Sequence, residues 1–186
     1  MVLIMVALLA IFSLCGIFVG LFFGASANRR IGSWLAFTVL LAAWLTLLTN
    51  WQELAWRGQI VRMKRQLAGF DKISASLRAD WPAEDGERME LGPYMAYPID
   101  RPQVLMLLTT PNVPATNAAI SSVERSANGA LRFQLTGSEP GVWLEWHPAE
   151  SAPGTFSGGL MANHLIERFS PLDNGWYLVR YRGPRS

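Results

Sequence analysis

Two long apolar stretches, 2–23 and 31–48, fill almost all of the first 50 residues, which contain no acidic side chain. Their only formal charges are Arg29 and Arg30, in the short link between them. A bilayer core has no water to satisfy backbone groups, so a chain crossing it needs about 20 apolar residues wound into a helix. The pattern predicts a transmembrane helical hairpin, with both of its ends on the same side of the bilayer. The first stretch has no basic n-region and exceeds the roughly 7–15 residues of a signal-peptide core, so an uncleaved helix is expected. Ala25-Ser26-Ala27 does carry the small residues of a cleavage site.

Gly16, Gly20 and Gly24 recur at four-residue spacing and so share one helical face. Small residues there let a neighbouring backbone approach closely, which is how helices associate where no hydrophobic drive exists. Ala36, Ala43 and Thr46 offer the second span a similar face, so the glycines can serve the hairpin itself or another membrane helix. Trp34 and Trp51, near the ends of the second span, suit interfacial anchors.

Beyond the hairpin, segment 51–81 carries a stripe of Trp56, Ile60, Met63, Leu67, Phe70, Leu77 and Trp81 at alternating spacings of four and three, with Ser74 as its polar member. This predicts a long amphipathic helix running out of the second span and stopped by Pro82. A parallel coiled coil would need complementary flanking charges, and Arg57, Lys64, Asp71 and Arg78 supply few. Gly58 and Gly69 weaken an exposed helix by about 1 kcal/mol each. A connector whose stripe docks on its own domain or on a partner subunit is the expectation.

Residues 82–186 read as a small β-rich domain. Segment 82–100 is turn-rich, with Tyr94 and Tyr97 between Pro93 and Pro98, and suits an ordered loop or a short edge strand. The run 103–109 suits a buried strand. Asn128-Gly129 and the 171–175 turn mark hairpins. Alternation over 120–125, 130–135, 141–148, 164–169 and 176–182 completes five or six mainly antiparallel strands. The expected fold is therefore a membrane-anchored α+β chain: hairpin 1–50, connector 51–81 and β domain 82–186. The sheet would form a sandwich or barrel, or be covered on one face by the connector.

Charge excludes one class of partner. Removing Arg29 and Arg30 from the 16 basic residues leaves 14 against 14 acidic ones. Segment 51–81 holds six basic and three acidic residues, and 82–186 holds eight and eleven. A neutral-to-acidic domain has no concentrated basic surface for nucleic acid. Arg57, Arg62, Lys64 and Arg65 instead suit anionic headgroups just outside a bilayer. Those four outnumber the two in the link, which favours a cytoplasmic domain under the positive-inside bias; the first helix taken alone points the other way.

Candidate chemistry is sparse. Cys15 is the single cysteine and lies in the first apolar stretch, and His147 and His164 sit on different predicted strands. No zinc spacing, phosphate loop, calcium loop or nucleophile elbow occurs, so no catalytic residue, cofactor or metal is expected. The cluster Trp143, Glu145, Trp146 and His147, with Tyr94 and Tyr97, is the possible ligand or partner face. On a strand Trp143, Glu145 and His147 share one side. The primary expectation is a non-enzymatic accessory or scaffold subunit docking through its helices onto a larger membrane complex or a second copy. The alternative is a membrane-tethered sensory or ligand-binding module with an aromatic pocket, and a hydrolase built on His147 comes third.

Overall fold

The computed structural model describes residues 2–23, 31–111, 119–136, 141–158 and 163–182, with the side chains of 2–9, 21–23 and 31–33 left out. The chain divides into two compact units, 1–57 and 58–186.

The first unit holds helices α1 (Val2–Phe23) and α2 (Ile31–Thr49) and the opening turns of α3 (Trp51–Ala79). α1 meets α2 through Phe18 and Phe37, whose rings lie 6.2 Å apart. The three threonines of α2 are satisfied within the helix: Thr38, Thr46 and Thr49 each donate to the carbonyl one turn back, at 2.8–3.0 Å. Such back-bonding hides hydroxyls that an apolar surrounding would penalise. Among the described residues no single helix is long and apolar enough to cross a membrane, whereas a bent pair, Trp34–Thr49 with Trp51–Ala79, reaches that length and composition together.

Among the described residues, the second unit contains the rest of α3 and nine strands, all paired antiparallel. In chain order these are β1 (Gly86–Arg88), β2 (Gly92–Tyr97), β3 (Val104–Leu107), β4 (Ala119–Arg125), β5 (Leu131–Thr136), β6 (Val142–Trp146), β7 (Phe156–Ser157), β8 (Asn163–Pro171) and β9 (Trp176–Arg182). The sheet order is β1-β2-β3-β4-β5-β6-β9-β8-β7. Fold class is thus α+β, with one correction: nine strands, where five or six were expected. The additional ones are β1 and β7, together with β2, which forms where an ordered loop or a short edge strand was expected and lies inside the sheet between β1 and β3. They fall in segments whose prolines, glycines and small residues carry turn signals but little alternation. The expected hairpins form where predicted, with Gly129 and Gly175 both in the left-handed region (φ 84° and 79°).

The α3 stripe docks on this sheet. Met63, Leu67, Phe70, Ile73 and Leu77 are buried. Phe70 lies 5.7 Å from Phe133 and 6.1 Å from Trp176, ring centre to ring centre. Trp176 donates its indole N–H to Asp71 at 2.6 Å, Arg78 lies 4.0 Å over the Trp146 ring, and Lys64 pairs with Asp173. Ser74, the polar member of the stripe, is fully buried and returns its hydroxyl to the Asp71 carbonyl. Below the helix runs a cross-sheet row of Ala96, Leu105, Val123, Phe133, Leu144 and Leu178, each opposite the next and each buried. This face is the hydrophobic core.

Candidate functional site

Alternation puts the two rows flanking that apolar row on the opposite face of the sheet. One runs Met106, Ser122, Gln134, Trp143 and Val179; the other runs Val104, Glu124, Arg132, Glu145 and Tyr177. This face is polar in sequence yet largely covered, for Ser122, Glu124, Arg132 and Glu145 are all buried. Residues 147–158 lie against part of it, with the Gly154 carbonyl 3.3 Å from the Tyr181 hydroxyl. At Gly158 the approach is close enough that a Cβ there would stand 3.1 Å from a Glu124 carboxylate oxygen and 3.2 Å from His164 Nε2.

Two features lie side by side on this face. The first is a closed hydrogen-bond network around Glu145, which is 0% exposed. Its Oε1 accepts from the Tyr181 hydroxyl at 2.6 Å and lies 3.6 Å from Arg132 Nε; its Oε2 lies 2.8 Å from His147 Nε2. His147 Nδ1 is 3.1 Å from Ser151 Oγ, and that oxygen accepts from Asn128 Nδ2 at 2.9 Å. In the tautomer with Nε2–H, His147 donates to Glu145 and accepts the Ser151 hydroxyl proton. Burial first, then the Glu145 carboxylate, holds the Tyr181 phenol well above its ordinary 10.0. It remains a donor throughout the physiological range.

The second feature is a cleft of about 420 Å³. Its apolar wall includes Val104, Met106 and Trp143, and its polar groups include Ser122, Glu124, Gln134 and His164. The Ser122 hydroxyl donates to Gln134 Oε1 at 2.9 Å, which leaves the carboxamide N–H groups for other partners. His164 stacks on Phe156 at 4.7 Å and meets the edge of Trp143 at 5.2 Å. Burial, then Arg132, lowers the His164 pKa from 6.5, with Glu145 opposing. The imidazole is accordingly uncharged at neutral pH. Small-molecule sites have this character: concave, mostly apolar, with a few convergent polar groups.

The six residues expected to form one ligand face are divided. Trp143, Glu145 and His147 lie together on the face with the cleft, but only Trp143 lines it, while Glu145 and His147 belong to the buried network. Trp146 lies on the opposite face under Arg78, and Tyr94 is buried on the same face of β2 as Ala96 of the apolar row, and neither lines the cleft. Tyr97 is exposed on β2 opposite Val104. In the connector, Trp56 is buried, Ile60 is half-buried, and Trp81 is half-buried with its indole N–H on the Pro102 carbonyl at 2.7 Å. In the hairpin, Gly16, Gly20, Ala36 and Ala43 are exposed, and Gly24 lies outside the described residues.

The cleft's Glu124, Gln134, Ser122 and His164 were not anticipated. The only sequence signal was that Ser122/Glu124 and Arg132/Gln134 occupy polar alternate positions, which is also how a solvated sheet face reads. Among the described residues no group of three or more His, Cys, Asp or Glu is placed to hold a metal ion. Compared with family models, curated proteins and solved structures, the chain matches none.

Proposed function

We propose that this chain is a membrane-tethered, non-enzymatic binding module whose β domain takes a small ligand in the cleft lined by Trp143. The observation that carries the reading is the cleft itself, which combines an indole wall with the polar side chains of Ser122, Glu124, Gln134 and His164 at a size that suits a small organic molecule. Tethering is supported by the large apolar side chains that α1 and α2 leave exposed, among them Phe12 at 74% and Val39 at 65%. Helices apolar all round are stable only in a core or a bilayer. Arg57, Arg62, Lys64 and Arg65 then favour a cytoplasmic domain.

Ser151, His147 and Glu145 have the connectivity of a nucleophile, base and orienter. The imidazole is buried, however, and neither His147 nor Ser151 lines the cleft among the described residues. We read the array as a brace that satisfies a buried carboxylate and pins residues 147–158.

A fragment screen on the full chain in detergent micelles tests this reading, using thermal shift and tryptophan fluorescence. Ligands should be found whose affinity falls at least about tenfold in Gln134→Trp, which fills the cleft from an exposed position without touching the core. Absence of any binder, or binders indifferent to that substitution, refutes it.

One observation favours a second reading, an accessory subunit docking through its hairpin. Nothing among the described residues lies within 4 Å of where a Cβ at Gly16 or Gly20 would stand, so no described side chain of α2 occupies that face. Native sizing and mass spectrometry of mildly solubilised membranes test it, and a lone monomer rejects it.

A further inference from the structure

The apolar floor of the cleft continues past its own lining. Val104 and Met106, which form part of that floor, pair directly with Tyr97 and Met95 of β2. Directly paired residues point to the same side of a sheet, so β2 extends the floor outward. Both side chains are exposed, Met95 at 45% and Tyr97 at 43%, whereas Tyr94 and Ala96 on the other side of β2 are buried. One row thus runs Met95, Met106, Ser122, Gln134 and Trp143. From Gln134 to Met95 it crosses three strand spacings, about 14 Å.

The charged side chains beside this floor are already engaged. Glu124, opposite Arg132 in register, has an interaction partner. Arg132 lies 3.8 Å over the Phe156 ring and 3.6 Å from Glu145, whose carboxylate also holds Tyr181 and His147. By contrast, the exposed Gln134 carboxamide uses only its oxygen among the described residues, as acceptor of the Ser122 hydroxyl.

We infer that the cleft takes an elongated, uncharged molecule, with a carbonyl group held by Gln134 and an apolar body laid over Met106 onto Met95 and Tyr97. The inference rests on the cleft being a binding site, and it adds the ligand's charge class and length. An ion entering the cleft would shed its hydration and find the nearby opposite charges already committed. An uncharged carbonyl loses far less on entry and accepts a carboxamide N–H from Gln134. Trp143, next in the row beyond Gln134, bounds that end with its indole. At the other end the thioethers of Met95 and Met106 are flexible and polarizable, so they adapt to an apolar body. The Tyr97 ring adds a flat aromatic contact.

Four ligands separate the possibilities: 6-phenylhexanamide, its ionic counterparts 6-phenylhexanoate and 6-phenylhexylammonium, and the short 2-phenylacetamide. Each is titrated at pH 7.5 into the full chain in neutral-detergent micelles, using calorimetry and tryptophan fluorescence. Gln134→Trp in the same micelles is the reference for partition into detergent. The long amide should bind at least about tenfold more tightly than either ion or the short amide. Tyr97→Ser, at an exposed position, should weaken the long amide at least about threefold and leave the short one unchanged. The length comparison is made on the unsubstituted chain, so it holds even if Tyr97→Ser misfolds. Suppose Gln134→Trp abolishes all binding, but an ion or the short amide matches the long amide, or a folded Tyr97→Ser binds it unchanged. The charge and length assignment then falls and the cleft stands. Binding of none of the four, or binding that survives Gln134→Trp, overturns both.

Discussion

Glu145 illustrates what an enclosed carboxylate demands. It has no solvent contact and three partners, Arg132, His147 and Tyr181, each on a different strand or strand end. Truncation by Glu145→Ala takes from a buried guanidinium one of the two carboxylates flanking it in the row and strands the other two groups, a change that costs about 3–5 kcal/mol. Tyr181→Phe removes one charge-assisted hydrogen bond and should cost about 1.5–3 kcal/mol. Urea unfolding of the full chain in micelles, followed by tryptophan fluorescence, measures both, and the double variant should lose less than the sum. His164 supplies a pH signature. Its pKa is lower folded than unfolded, so the unfolded chain binds more protons as pH falls below about 6.5. Its contribution is fully present above that value and is lost as pH drops through the lowered folded value. Around the imidazole stand Glu124 from β4, Arg132 from β5, Glu145 from β6 and Tyr181 from β9; Arg132 reinforces the lowering and the Glu145 carboxylate opposes it. The urea midpoint should fall between pH 7.5 and pH 5.5 more steeply in the unsubstituted chain than in His164→Gln.

Among the elements, α3 has the clearest division of labour. Its buried stripe covers the hydrophobic face of the sheet, and Phe70 fits between Phe133 and Trp176 with no solvent exposure. Phe70→Ala should therefore destabilise the second unit by about 3–5 kcal/mol, measured by the same urea unfolding. Such a helix is legible because its burial follows a 3.6-residue period, and the segment runs to Pro82 without interruption. The strands of the two marked hairpins were legible for the same local reason: alternation plus a turn that needs a left-handed residue, as at Gly129 and Gly175. β1 and β7 were not, and β2 was legible only as a short edge strand set against a loop. A strand of two or three residues carries too little alternation to register, and β2 begins at Gly92-Pro93, residues that ordinarily interrupt sheets. The cleft was hidden by a different cause. Glu124, Arg132 and Glu145 lie on three separate strands, so only strand pairing brings them into one row. Read locally, each is simply a polar residue facing away from the core.

At the scale of the molecule, two units of opposite character share one chain. The first leaves apolar side chains on its surface, and the second buries charge in its interior. If the glycine face of α1 seats another helix, replacing Gly16 and Gly20 with Leu should abolish self-association or partner capture in mild detergent. The second unit's stability should be unchanged, because both positions are exposed and lie outside it. Native mass spectrometry reads the first outcome and urea unfolding the second.

The charged row has a bearing on assembly as well as on ligand choice. Side chains alternate faces with a period of two, so a slip of one residue in the pairing of β5 would drive Arg132 beneath Phe70 and lift Phe133 out of the core. A slip of β4 or β6 would do the same to Glu124 or Glu145. Three ionised groups at consecutive strands therefore act as a lock on register, making every mispaired sheet bury an unmatched charge in the helix-facing layer. In a nine-stranded sheet built of short strands, where loop closure offers many near-equivalent pairings, that penalty narrows the choice to one.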